Sequence, residues 1–137
     1  MTKPVVPHNA FIFVGDGRKA MFLRNDGDEK FANFVTEQVF VDEETPADLK
    51  AGKQSRWHEL EEHRFTQRVM QELEKLARDR RAPALVIVAP PRALADLREA
   101  MHDDVKSLVR LEINKDLTKQ PVWEIEKHVM AQPRPAA

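Results

Sequence analysis

Three cations, Lys50, Lys53 and Arg56, fall within seven positions of one another with no acidic side chain among them. They stand just before a predicted helix whose first amides have no intrahelical partner. Free amides and nearby ammonium or guanidinium groups together suit a phosphate oxygen. Ser55, able to cap that helix, belongs to the same stretch, which makes 50–56 a candidate RNA- or phosphate-binding loop. The bland alternative is an ordinary solvated loop, because three charges bind little RNA unless other surfaces add to them. Arg92 joins the set for a different reason. It follows Pro90 and Pro91 at the predicted carboxyl end of a parallel strand, where open α/β sheets place ligands. Its structural alternative is an i,i+4 pair with Asp96.

Other chemistries fail on spacing. His58 and His63 frame a glutamate-rich stretch, but five helical steps turn the second imidazole about 140° from the first, whereas zinc-binding pairs on a helix need i,i+4 spacing. His58 with Glu62 and Glu59 with His63 read instead as i,i+4 pairs on an exposed face. A two-metal nuclease needs converging carboxylates. Asp16 could supply one, but the predicted central strand ends in Ala89 and two prolines, and Asp16 is more simply a turn residue. No Ser, His and carboxylate set and no glycine-rich phosphate loop stands out. The chain therefore reads as a binding module with no metal and no cofactor. Lys115 and Asp116 read as loop structure, and Trp57 and Trp123 as half-buried anchors.

These groups must be positioned by a sheet. Leu85, Val86, Ile87 and Val88 form a continuous apolar run suited to a strand buried on both faces, and Pro91 suits the first turn of a helix carrying Leu94, Leu97 and Met101 inward. Upstream, residues 10–15 and 19–24 read as a hairpin around Gly15-Asp16-Gly17. Residues 34–41 alternate as a third, half-exposed strand after the turn at Asn25-Asp26-Gly27-Asp28. Residues 42–55 form a long loop without periodicity. From Trp57 the stripe Leu60, Phe65, Val69, Leu73, Leu76 and Ala77 predicts the longest helix, with glutamates early and arginines late. Residues 107–113 suggest a further strand, polar on one face or at an edge. Pro121 opens a final helix marked by Val122, Ile125 and Val129.

The resulting order, βββαβαβα, predicts an α/β domain with a mixed sheet of about five strands flanked by helices, an order that ribonuclease H-like folds share. At 137 residues the chain fits one domain, expected over 10–131, with a flexible start at 1–9 and a flexible tail at 132–137. Its net charge of −1 creates no global field for nucleic acid, so such contacts must be local. The absence of cysteine excludes disulfides and thiolate chemistry. With no signal or membrane segment near Met1, a cytoplasmic location is expected and membrane contact is not.

Three long motifs, "RWHELEEHRFTQRVMQEL", "LVIVAPPRALADLR" and "EINKDLTKQPVWEIEKHV", resemble the bacterial host attachment protein family in that order, over residues 11–129. That family in turn is similar to the middle domain of archaeal and eukaryotic peptide-chain release factors, which carries a Gly-Gly-Gln loop just before its long helix. The equivalent place here reads Gly52, Lys53, Gln54. The resemblance implies a partner in the ribosome or tRNA, with Lys50, Gly52, Lys53, Gln54, Ser55, Arg56 and Arg92 as the contacting set. It also implies two competing roles. One is hydrolysis of a peptidyl-tRNA ester, with Gln54 orienting water. The other is regulation of bacterial attachment to host cells through a protein partner. Lysine lacks glycine's freedom at positive φ and adds a bulky charge at position 53, which favours a non-catalytic module.

Overall fold

A computed structural model describes residues 6–41, 55–79 and 81–132, and leaves the side chains of 55–63 undescribed. The elements are β1 (Phe11–Gly15), β2 (Lys19–Asn25), β3 (Phe34–Val41), α1 (Ser55–Arg78), β4 (Leu85–Ala89), α2 (Pro91–Ala100), α3 (Asp103–Lys106), β5 (Val109–Asn114) and α4 (Val122–Met130). They form a single α/β domain. The five strands lie in the order β3-β2-β1-β4-β5; the first two pairings are antiparallel and the last two parallel.

All residues of β1 and β4 are buried. Alternation sends Phe11, Phe13, Leu85 and Ile87 to one face, where Phe65, Val69 and Leu73 of α1 and Leu94 and Leu97 of α2 cover them. Ile12, Val14, Val86 and Val88 point to the other face and meet Ile125 and Val129 of α4 together with Val6. The sheet is thus the middle of three layers. Pro90 is the N-cap of α2 and Pro91 its first residue, a position where the missing N–H costs no helical bond.

Several local expectations shift. α1 begins at Ser55, two residues before Trp57, and has no acidic residue in its first turn, so only Lys75 and Arg78 at its far end complement the helix dipole. A short helix, α3, replaces the start of the expected last strand: Val105 is its one buried residue, too brief a signal for periodicity, and β5 starts at Val109. Pro121 is the N-cap of α4, with an extended ψ of 159°, and not its first helical residue. Trp123, expected to be half-buried, is 64% exposed because the inward stripe of α4 is set by Ile125 and Val129, and two helical steps turn Trp123 away from it. The polar edge expected of the last strand is present: Glu112 of β5, an edge strand, accepts from Arg98 Nε at 2.6 Å.

β3 departs from simple alternation. Phe34 and Phe40 share sequence parity, yet Phe34 enters the α4-side core and Phe40 the α1-side core. The register explains this. Leu23 pairs with Thr36 and Phe22 with Gln38, leaving Glu37 as the extra residue of a bulge that flips every later side chain. Glu37 accepts from Arg24 Nε at 2.5 Å, and this bond, followed by the one from Arg24 to Asp26, raises the guanidinium pKa. Beyond the bulge, Phe13, Phe22 and Phe40 stack edge to face, and the Arg68 guanidinium lies 4.3 Å from the centre of the Phe40 ring.

Asn25, fully buried, ties the amino-terminal segment to the β2–β3 turn. Its Nδ2 donates to the carbonyls of Val6, Pro7 and Asp28, and its Oδ1 accepts from the amides of Gly27 and Asn33, both at 3.0 Å. Gly27 is required in this turn: a Cβ there would lie 2.0 Å from the Phe31 carbonyl oxygen. Asn25→Asp turns a donor against three carbonyls into an acceptor, and in urea unfolding it should cost at least about 3 kcal/mol. A loss under about 1 kcal/mol would show the network to be dispensable. Deleting Glu37 removes the bulge and forces one of Phe34 and Phe40 out of its core. The expected loss is about 3 kcal/mol or more by the same measurement, against near-neutrality if the edge strand tolerates either register.

Candidate functional site

Because β1, β3, β4 and β5 run in one direction, Gly15, Val41, Ala89 and Asn114 all finish at one edge of the sheet. α2 starts directly at this edge. α1 reaches Phe40, one residue from the end of β3, through Arg68, and Ser55 lies thirteen residues earlier, about 20 Å of helix rise. The first turns of α1 therefore extend past the carboxyl edge. Ser55 and Arg56 belong to that extension by backbone, while Lys50, Gly52, Lys53 and Gln54 lie outside the described residues, as do the side chains of the His58–Glu62 and Glu59–His63 pairs.

A polar tie closes the same edge on the α4 side. Asp16 accepts from the amides of Arg18 and Lys19, both at 2.7 Å, as a turn residue does. Its other carboxylate oxygen receives the Thr118 hydroxyl at 3.4 Å, and Lys19 Nζ donates to the Thr118 carbonyl at 3.1 Å. Thr118, 3% exposed, also donates to Asp116 Oδ1 at 2.6 Å. The hairpin after β1 and the loop after β5 are thus fastened together past the end of β4. Lys115 and Lys119 project from the same loop, exposed and without an ion pair among the described residues. Among the described residues, the nearby carboxylates have partners within the domain. Asp16 and Asp116 hold turns, Glu126 accepts from the Phe34 amide at 2.8 Å, and Glu124 faces His128 at 3.8 Å.

Arg92 occupies a different place from the α1 start. It is exposed at one end of an open groove of about 840 Å³ between α1 and α2, with Gln67, Asp96 and Glu99 among the lining residues. At the other end His102 Nε2 meets Glu74 at 3.0 Å. The described α1 residues of the groove run from Thr66 to Glu74, the first of them about 16 Å of helix rise beyond Ser55. Among the described residues no group of three or more His, Asp or Glu is arranged to hold a metal ion, and no helix is long and apolar enough to cross a membrane.

Sequence reading overlooked Lys19, Lys119 and Thr118 as parts of one surface. Their signal was available only through topology: once β1 and β5 are parallel and separated by β4 alone, the turn after one and the loop after the other must finish at the same edge.

The fold and its long helix after β3 agree with the comparison of the sequence to protein families. Residues 9–129 match the model of the bacterial archaeo-eukaryotic release factor family 12. No curated protein matches the chain. The match takes in every described strand and nearly all of the last helix, and the chain belongs to the bacterial archaeo-eukaryotic release factor family 12.

Proposed function

We propose that this release-factor-related domain is a non-catalytic cytoplasmic binding module that contacts ribosomal RNA or tRNA with the carboxyl edge of its sheet. The observation that carries the proposal is the charge arrangement there. Lys19, Lys115 and Lys119 stand at an edge where, among the described residues, Asp16, Asp116 and Glu126 are engaged by their own turns and by β3, which leaves Lys115 and Lys119 to meet phosphate. Lys50, Gly52, Lys53, Gln54, Ser55 and Arg56 add to this surface from the segment leading into α1, and Arg92 adds to it from the start of α2. Membership of the release factor family supports a ribosomal partner. A role in bacterial attachment to host cells would then be indirect, through regulation of synthesis.

Phosphate contacts release counterions, so binding must weaken steeply with salt, by roughly 0.7 of a log unit per contact for each log unit of salt on single strands. In cosedimentation with purified ribosomes, the wild type should bind in a salt-sensitive manner. Changing Lys50, Lys53 and Arg56 together to alanine, or Lys115 and Lys119 together, should lower both the affinity and the salt slope. Absence of binding at low salt overturns the proposal. If ribosomes are bound, peptidyl-tRNA hydrolysis lost in Gln54→Ala but kept in Lys53→Gly would move the chain from binding module to esterase.

A further inference from the structure

Trp123 lies in the first turn of α4 with its ring open to solvent, yet its backbone is firmly held. The Pro121 carbonyl accepts from the amides of Glu124 and Ile125, and Ile125 and Val129, two and six residues on, are fully buried. Glu126, three residues on and so on the same flank, accepts from the Phe34 amide of β3. Trp123 is therefore on the β3 side of α4, one turn nearer the carboxyl edge. Further toward that edge, five and seven residues beyond Phe34, β3 presents Val39 and Val41, 46% and 55% exposed. They pair with Met21 and Lys19, and Met21 enters the α4-side core, so both valines face the side of the sheet that carries α4.

Trp123 and the two valines thus leave separate apolar surface open on this side of the sheet, and ammonium groups stand on the same side. Lys19 is the cross-strand partner of Val41 and is anchored on the Thr118 carbonyl. Lys119 is four residues from Trp123, no more than about 14 Å along even an extended chain. An exposed aromatic face within a few residues of cations is complementary to a flat ring on a phosphate chain, which stacks while its backbone is neutralised. We infer that Trp123 is a stacking platform for a nucleobase of single-stranded RNA, with Lys19 and Lys119 on the flanking phosphates. This rests on the RNA-binding reading above and adds to it the strandedness of the RNA and the residue that meets a base.

The test titrates wild type and Trp123→Ala with an eight-nucleotide oligoribonucleotide and with an abasic ribose-phosphate chain of equal length, following tryptophan fluorescence and salt dependence. With the oligoribonucleotide the wild type should show saturable quenching, and Trp123→Ala should lose that quenching and about tenfold in affinity, with an unchanged melting temperature. Trp123→Phe should recover part of the affinity. The abasic chain should bind both proteins equally, without quenching. Equal affinity of wild type and Trp123→Ala for the oligoribonucleotide, with salt-sensitive binding retained, overturns the stacking platform and leaves the RNA-binding reading standing. Failure of both proteins to bind either chain at low salt overturns both.

Discussion

Covering β1 and β4 on both faces removes water from every peptide group they contain, and each buried N–H or C=O left unpaired would cost about 1–3 kcal/mol. These strands can exist only with neighbours on both sides. β2 supplies one flank of β1, β5 supplies one flank of β4, and the two pair with each other in parallel. The rest of the architecture follows from this demand. Parallel pairing requires crossovers, which become α1 and α2 on one face and leave the other face for α4. The polar and bulged strands, β5 and β3, are left at the margins, where half of their backbone can face water.

The central constraint was legible in the sequence because a run of β-branched residues without a polar member has few other uses, and the prolines after Ala89 mark its end without ambiguity. Long-period signals were equally plain: Phe65, Val69 and Leu73 in α1 and Ile125 and Val129 in α4 occupy the positions their spacing assigns. What escaped were features set by one residue or by partners distant in sequence. The bulge at Glu37 is invisible to alternation, since Phe34 and Phe40 look like members of one face until the register with β2 is known. α3 rests on Val105 alone. The exposure of Trp123 depends on which stripe of a nine-residue helix wins the sheet, and Ile125 with Val129 outweighs one indole.

The candidate site divides along the same line. Individual residues such as Asp16 and Asp116 could be read as turn formers, because their role is local. Their shared attachment to Thr118 could not, because it joins segments about a hundred positions apart. Arg92 was rightly located at the end of a strand, but its surroundings, a groove whose other wall is the middle of α1, follow from how two helices settle on the sheet and from nothing near Arg92 in the chain.

The tie through Thr118 has a bearing on biosynthesis. Its bonds to Asp16 and Lys19 span 102 and 99 residues, so the clasp on the hairpin that emerges first cannot close until the segment after β5 has also been made. A chain interrupted before residue 118 can form the β1–β2 hairpin from local contacts, yet it lacks both the clasp that sets the edge and the lysine beside it. The order of synthesis therefore sets the order of assembly: the strands can pair first, and this part of the edge is fixed only after the loop that follows β5 has joined them.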